Sequence, residues 1–288
     1  MKIAYHSYAF GGRSWMPSWT LEEAMRLTAE IGFDGIELAA WRPHAWPRDL
    51  DVARRQEMKD LARQYRLEYS AICMVQVNHN VASPVDAERR DSLVYLRDCI
   101  DLAADLECPI VVVGGGWSVQ PHPRQAAWEW AGESLSQAAR YAQERGITLA
   151  LENINRQRAD VIVSTDDMLE MMRVIGSPSI RPMLDFYHLH LEGEDPLQAI
   201  QRLGKDLAYT HFLDAHRANR SRQVLGKGEI PLGDILSALV DVGYNGWLCV
   251  EIWGDDPVET GKQTIHHYRN LLESVYSGIS SETGARSI

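Results

Sequence analysis

The sequence predicts an α/β fold closed into a (β/α)8 barrel, and three observations predict it. Strand-type apolar runs alternate with amphipathic helical segments roughly eight times, a pattern that argues for a parallel sheet with crossover helices. The 288 residues suit one large domain, and eight such units within that length favour closure over an open doubly wound sheet. No GxGxxG follows the first strand, which removes the main support for a dinucleotide fold. The expectation is therefore a single TIM-barrel domain over residues 1–276 and a C-terminal tail over 277–288, whose Ser, Gly and Thr read as loose chain.

Each unit has its own signal. Ile3 to Ser7 reads as the first strand, and Thr20 followed by Glu23 is a capping box for a helix over Leu21 to Ile31. Gly35 to Ala39 is the second strand, with a helix from about Asp49 to Tyr65. Glu68 to Met74 is the third, before a helix over Asp86 to Leu106. Pro109 to Gly114 is the fourth, before a long helix ending at Gly146. The second half repeats the alternation. A strand ends at Glu152, a helix follows Thr165, a strand ends at Asp185, and a short helix covers Leu197 to Leu203. A strand with His211, a helix over Leu232 to Val242, a strand with Glu251 and a helix to about Tyr276 complete the count.

Composition narrows the function classes. A hydrophobic share of 45% supports a sizeable core, and a formal net charge of −11 disfavours a nucleic-acid surface and points to a small-molecule partner. The four cysteines form no CxxC pair and fall in strands or helices, as expected of a reduced cytoplasm. The chain opens on strand-like Lys2 to His6 without the apolar core of a signal peptide, and no apolar run reaches membrane-spanning length. A cytoplasmic protein with no membrane partner is the expectation.

The chemistry gathers at strand ends. Arg181 to His188 is an apolar run that finishes in Asp185 and His188, and comparable runs deliver Glu152, His211 and Glu251. In a barrel these ends meet on one face. Three carboxylates and one imidazole suit one divalent cation, with Mn²⁺ the leading candidate and Mg²⁺, Co²⁺ or Zn²⁺ as alternatives. Against this, any one acid could simply be a strand-end residue paired with an Arg or Lys. His6 and Glu37 also end strands, and Trp41, Trp117 and Trp253 follow others, where aromatic walls would suit the C–H faces of a sugar. Gly114-Gly-Gly116 reads as a tight turn leaving room for substrate, since no P-loop Lys-Ser/Thr follows.

The set Leu-Glu-Asn-Ile-Asn-Arg156, Met-Leu-Asp-Phe-Tyr-His188, Thr-His-Phe-Leu-Asp214 with Arg217, Gly226-Lys-Gly-Glu-Ile230 and Tyr-Asn-Gly-Trp-Leu-Cys-Val-Glu251 resembles the xylose-isomerase-like sugar isomerase/epimerase superfamily. The likeness is greatest to the ketose 3-epimerases of the tagatose/psicose and fructoselysine branches; Gly-Phe-Asp-Gly-Ile-Glu-Leu38 followed by Arg42-Pro-His-Ala45 is similar to the latter. The resemblance implies that Glu152, Asp185, His211 and Glu251 are metal ligands and that His188 and Arg217 touch substrate oxygens; His6, Glu37 and Trp117 complete the expected substrate contacts. It implies C3 epimerisation of a ketose through a cis-enediolate, with Glu152 and Glu251 exchanging protons on its two faces, in a homo-oligomer, dimeric or tetrameric. Tagatose-type epimerases carry an acidic residue six positions after the first ligand Glu, where this chain has Arg158. Either the loop is arranged differently or the substrate brings negative charge of its own.

Three other reactions fit the same scaffold. An aldose–ketose isomerase needs the same ligands and returns the proton to a different carbon. A dehydratase of the inosose or dehydroshikimate type expels a β-hydroxyl. An endonuclease IV-like nuclease demands additional His and Asp ligands, which Ala218 to Val224 lacks, and the acidic charge opposes it.

Overall fold

The computed structural model describes residues 1–11, 19–254 and 256–285, with side chains as far as residue 275. Eight parallel strands close into a barrel: β1 (Lys2–His6), β2 (Gly35–Ala39), β3 (Glu68–Cys73), β4 (Ile110–Gly114), β5 (Thr148–Glu152), β6 (Ile180–Asp185), β7 (Tyr209–His211) and β10 (Trp247–Val250). Around the barrel they run β1-β10-β7-β6-β5-β4-β3-β2. The two remaining strands, β8 (Asp214–His216) and β9 (Ser221–Gln223), form an antiparallel hairpin outside the barrel wall.

Helices α1 (Leu21–Ile31), α2 (Val52–Tyr65), α3 (Asp86–Asp105), α4 (Arg124–Arg145), α5 (Thr165–Ile175), α6 (Phe186–Glu192), α7 (Pro196–Leu203), α8 (Leu232–Asp241) and α9 (Pro257–Ala285) connect the strands and close the chain. The capping box at α1 is formed: Thr20 Oγ1 accepts from the Glu23 backbone N–H, and a Glu23 carboxylate oxygen accepts from the Thr20 N–H. No described helix is long and apolar enough to cross a membrane.

Two features depart from the sequence reading. The stretch from 277 was expected to be loose tail, yet α9 carries helical backbone to Ala285; elongating an existing helix adds one hydrogen bond per residue ordered, so weak formers can be carried along. Residues 286–288 lie outside the described residues. Helix α6 was not anticipated, because it starts on the residue after β6 and its apolar run reads as continuing strand.

The core has two layers. The larger packs the helices onto the outer faces of the strands, through residues such as Ile36, Leu96, Leu149 and Leu236. The smaller fills the barrel with Ala4, Ala71, Val112, Ala150, Met183, Tyr209, Trp247 and Cys249. Side chains alternate across a strand, so a residue two places beyond an interior position also points inward. Ala150 therefore delivers Glu152, Met183 delivers Asp185, Tyr209 delivers His211 and Cys249 delivers Glu251. The interior layer is the foundation of the site at the carboxyl ends of the strands, where barrel enzymes place their chemistry.

Candidate active site

Glu152, Asp185, His211 and Glu251 come from β5, β6, β7 and the residue after β10, four neighbours in the wall. Each offers a ligand atom, and the four atoms lie within 4.8 Å of one another. His211 Nδ1 stands 3.3 Å from Glu152 Oε1, 3.3 Å from Asp185 Oδ2 and 3.2 Å from Glu251 Oε2. Two carboxylates this close repel by roughly 3–4 kcal/mol at an effective dielectric constant of about 20. Three of them around one imidazole nitrogen make a donor set that fits a divalent cation with oxygen and nitrogen ligands.

The surrounding hydrogen bonds orient each ligand. Asn153 continues the β5–β6 pairing past the end of β5: its Oδ1 accepts from the Asp185 N–H at 2.9 Å and its Nδ2 donates to the Asp185 carbonyl at 3.2 Å. Asp185 is also the N-cap of α6, where Oδ1 accepts from the His188 N–H at 2.9 Å and Oδ2 is left to face His211. His211 presents Nε2 to Glu37 at 3.0 Å and turns Nδ1 toward the three carboxylates, the nitrogen that would face a bound cation.

Electrostatics separate the two glutamates. Burial raises the Glu152 carboxyl to about 7, only partly offset by His211. Burial acts on Glu251 in the same sense, but Arg222 and His211 outweigh it and hold that carboxyl well below the ordinary value. Burial would lower the His211 pKa, yet Glu37 and Glu251 raise it well above the usual histidine range.

Above the cluster lies a cavity of about 390 Å³. Tyr8, Trp41, Trp117 and Trp253 give it aromatic walls, and His6, His188 and Arg158 its polar edge. His6 Nδ1 accepts from the Tyr8 N–H at 3.0 Å, and its Nε2 has no hydrogen-bond partner among the described residues. Asn155 fixes the His188 ring. Its Oδ1 accepts from Arg220 at 2.8 Å and from the Gln157 N–H at 3.2 Å, so Nδ2 donates to His188 Nδ1 at 2.7 Å. His188 Nε2 is then the proton-bearing nitrogen, and burial pushes the ring down to about 4, keeping it neutral.

Of the anticipated substrate contacts, His6, His188 and Trp117 line this cavity; Glu37 and Arg217 do not. Glu37 is fully buried beneath the cluster, where its carboxylate accepts from His211 and from the Tyr209 hydroxyl at 3.1 Å; it holds the His211 ring and does not line the cavity. Arg217 sits exposed at the turn of the β8–β9 hairpin, with its backbone N–H on Glu229. The hairpin folds back after that turn, pairs Arg222 with Ala215 and lays Arg222 behind Glu251. Arg222 Nη1 stands 2.8 Å from both the carbonyl and Oε2 of Glu251, and the guanidinium lies over the rings of Tyr187 and Trp253 at 4.3 and 5.0 Å. Sequence reasoning missed this residue, which sits in the middle of a three-residue strand outside the barrel. The glycines after β4 serve close packing: a Cβ on Gly115 would meet Ile162 Cγ1 at 2.3 Å.

The family described as xylose isomerase-like TIM barrel matches residues 25–272. Fructoselysine 3-epimerase of Shigella flexneri is 26% identical over 258 residues, covering 88% of this chain and 93% of that protein. D-psicose 3-epimerase of Ruminiclostridium cellulolyticum is 24% identical over 251 residues, covering 85% and 81%. Among solved structures, a D-tagatose 3-epimerase-like protein superposes with a TM-score of 0.85 at 20% identity, covering 97% of this chain and all of that one. Sequence and fold agree that the chain belongs to the xylose isomerase-like TIM barrel family, in the company of proteins named as ketose 3-epimerases.

Proposed function

We propose that the protein is a divalent-metal-dependent sugar epimerase that inverts C3 of a ketose. One observation carries this reading: Glu152 and Glu251 close the two ends of a four-strand arc, each within 3.3 Å of the same His211 nitrogen, on the floor of a cavity walled with aromatic rings. The names of the relatives, fructoselysine and psicose 3-epimerases, support it.

Glu152, Asp185, His211 and Glu251 would hold the ion, Mn²⁺ in the first instance. When bound, the ion polarises the ketone and stabilises the charge of the enediolate. The chain supplies the proton transfers. Planar at the reacting carbons, the enediolate is flanked by Glu152 and Glu251; the one that enters ionised takes the C3 proton, and the other, entering as the carboxylic acid, gives its proton to the opposite face, so the pair ends the turnover with its protonation states exchanged. Arg222 anchors Glu251 without lining the cavity, which makes it a positioning residue. His188 donates its Nε2–H to a substrate oxygen, and His6 lines the other wall. Trp41, Trp117 and Trp253 cover the C–H faces of the sugar and exclude water. A cytoplasmic location is consistent with free cysteines, three of them buried. Assembly into a dimer or tetramer is expected, to be read by light scattering.

The test is to incubate Mn²⁺-loaded protein with a panel of ketoses in deuterated water and follow the sugar by NMR. Deuterium at C3 with inversion is the expected result. Label at C1 or C2 with an aldose product would make it an isomerase, and loss of water a dehydratase. If no carbon-bound proton exchanges in any ketose, the enolisation chemistry is wrong.

A further inference from the structure

The mouth of the cavity carries a cation that no described residue neutralises. Arg158 lies in the loop after β5, lines the cavity and is open to solvent. Among the described residues its side chain has neither an ion-pair nor a hydrogen-bond partner. The charges nearby are already engaged. Arg156 pairs with Glu192 at 3.3 Å, Asp160 accepts from the Ser118 N–H at 2.7 Å, and Arg222 is held by Glu251.

The loop that carries Arg158 is anchored. Asn155 accepts backbone N–H groups from Arg158 and Ala159 on its carbonyl, at 2.9 and 3.1 Å, and from Gln157 on its side chain. The same Asn155 orients His188, so the backbone that carries the guanidinium is held at a fixed place relative to the polar edge of the cavity. Burial raises the Tyr8 hydroxyl and lowers His188, and the charge of Arg158 opposes the first shift and adds to the second, which puts it in electrostatic reach of two sides of the cavity. The volume of about 390 Å³ is that of a small-molecule pocket. At its mouth, a guanidinium with no partner among the described residues presents a fork of donors to a planar or tetrahedral anion.

Resting on the epimerase reading above, we propose that Arg158 selects an acidic ketose, binding a carboxylate or phosphate on the sugar end remote from the enolised carbons. The contribution is to binding and specificity; Arg158 takes no part in proton transfer.

The experiment is calorimetric, on Mn²⁺-loaded full-length protein, with three probes that cannot enolise: sorbitol, gluconate and sorbitol 6-phosphate. At least one anion is expected to bind on the order of tenfold tighter than sorbitol, and the tighter of the two identifies the group as carboxylate or phosphate. In Arg158→Gln that preference should collapse to near unity, and Arg158→Lys should restore most of it. Equal or undetectable binding of all three probes, or an anion preference that survives Arg158→Gln, overturns the proposal. Because none of the probes turns over, the result is independent of the deuterium-exchange test. Exchange at C3 without anion preference would remove only the role of Arg158, and preference without exchange only the epimerase.

Discussion

The Nε2 atom of His211 lies 3.0 Å from Oε2 of Glu37, and both side chains are sealed inside the barrel. Tyr209 steadies the same carboxylate at 3.1 Å and is itself tied to Ser70 at 2.8 Å, so a chain of buried polar groups runs from the barrel interior up to the cluster. A carboxylate behind a ligating imidazole fixes the ring and strengthens it as a donor. Glu37→Gln is expected to weaken Mn²⁺ binding by about 10–100-fold, measured by calorimetric titration of protein stripped with a chelator. Affinity within twofold of the wild type would show that His211 needs no such support.

Arg222 cannot be exchanged for another cation. Its planar group lies over Tyr187 and Trp253 while reaching two oxygens of Glu251, and a lysine ammonium, a point charge on a flexible stem, has no planar fork to hold these contacts in one geometry. Arg222→Lys is expected to lower kcat/KM on the turned-over ketose by on the order of 10²-fold, through kcat more than KM, because a displaced Glu251 meets the reacting carbon badly. Activity near wild type in steady-state assays would contradict this role.

At the start of α5, Asp167 accepts from the Val163 and Ser164 N–H groups at 3.0 and 3.1 Å and from Arg124 at 2.7 Å. Burial opposes its charge, but these partners prevail and hold the carboxyl below its ordinary value of 3.8. A depressed folded-state value means the stabilisation is complete above that ordinary value and is lost as the pH falls through the lower folded one. Asp167→Asn is expected to cost about 1–2 kcal/mol at neutral pH. Urea titrations at a series of pH values should show the gap closing only below the ordinary carboxylate range. A gap independent of pH would mean that the charge is immaterial.

Gly35 faces the barrel interior where the Trp247 indole crosses it. An added Cβ would stand 2.7 Å from two indole carbons and 2.8 Å from the Glu68 carbonyl oxygen, and backbone cannot yield cheaply. Gly35→Ala is expected to destabilise the fold by about 1–3 kcal/mol without changing the denaturant slope. An unfolding midpoint equal to wild type would mean that the indole moves freely.

The four cluster residues were legible because β-strands speak in period two: each sits two places after an interior residue, at the end of a strongly apolar run. Element order was legible for the same reason, with alternation of period two and period 3.6 repeated along the chain. Arg222 was not, since its position depends on how an isolated hairpin of two three-residue strands folds over the barrel mouth, and nearness in sequence to His211 favoured Arg217 instead. Depth was equally hidden. Glu37 points into the barrel from β2 as Glu152 does from β5, but it sits in mid-strand, and a partner three strands away in the wall, His211, takes its carboxylate down out of the cavity. Helix α6 was masked by having Asp185 serve at once as the last strand residue and the first helix cap.

All four cluster residues arise from one contiguous half of the wall, β5, β6, β7 and β10, while Trp41, Val75 and Trp117 reach the cavity from loops of the opposite half. The two halves are thus separable workshops. An engineer seeking a new sugar preference can randomise the segments after β2, β3 and β4 and leave every atom proposed to grip an ion untouched.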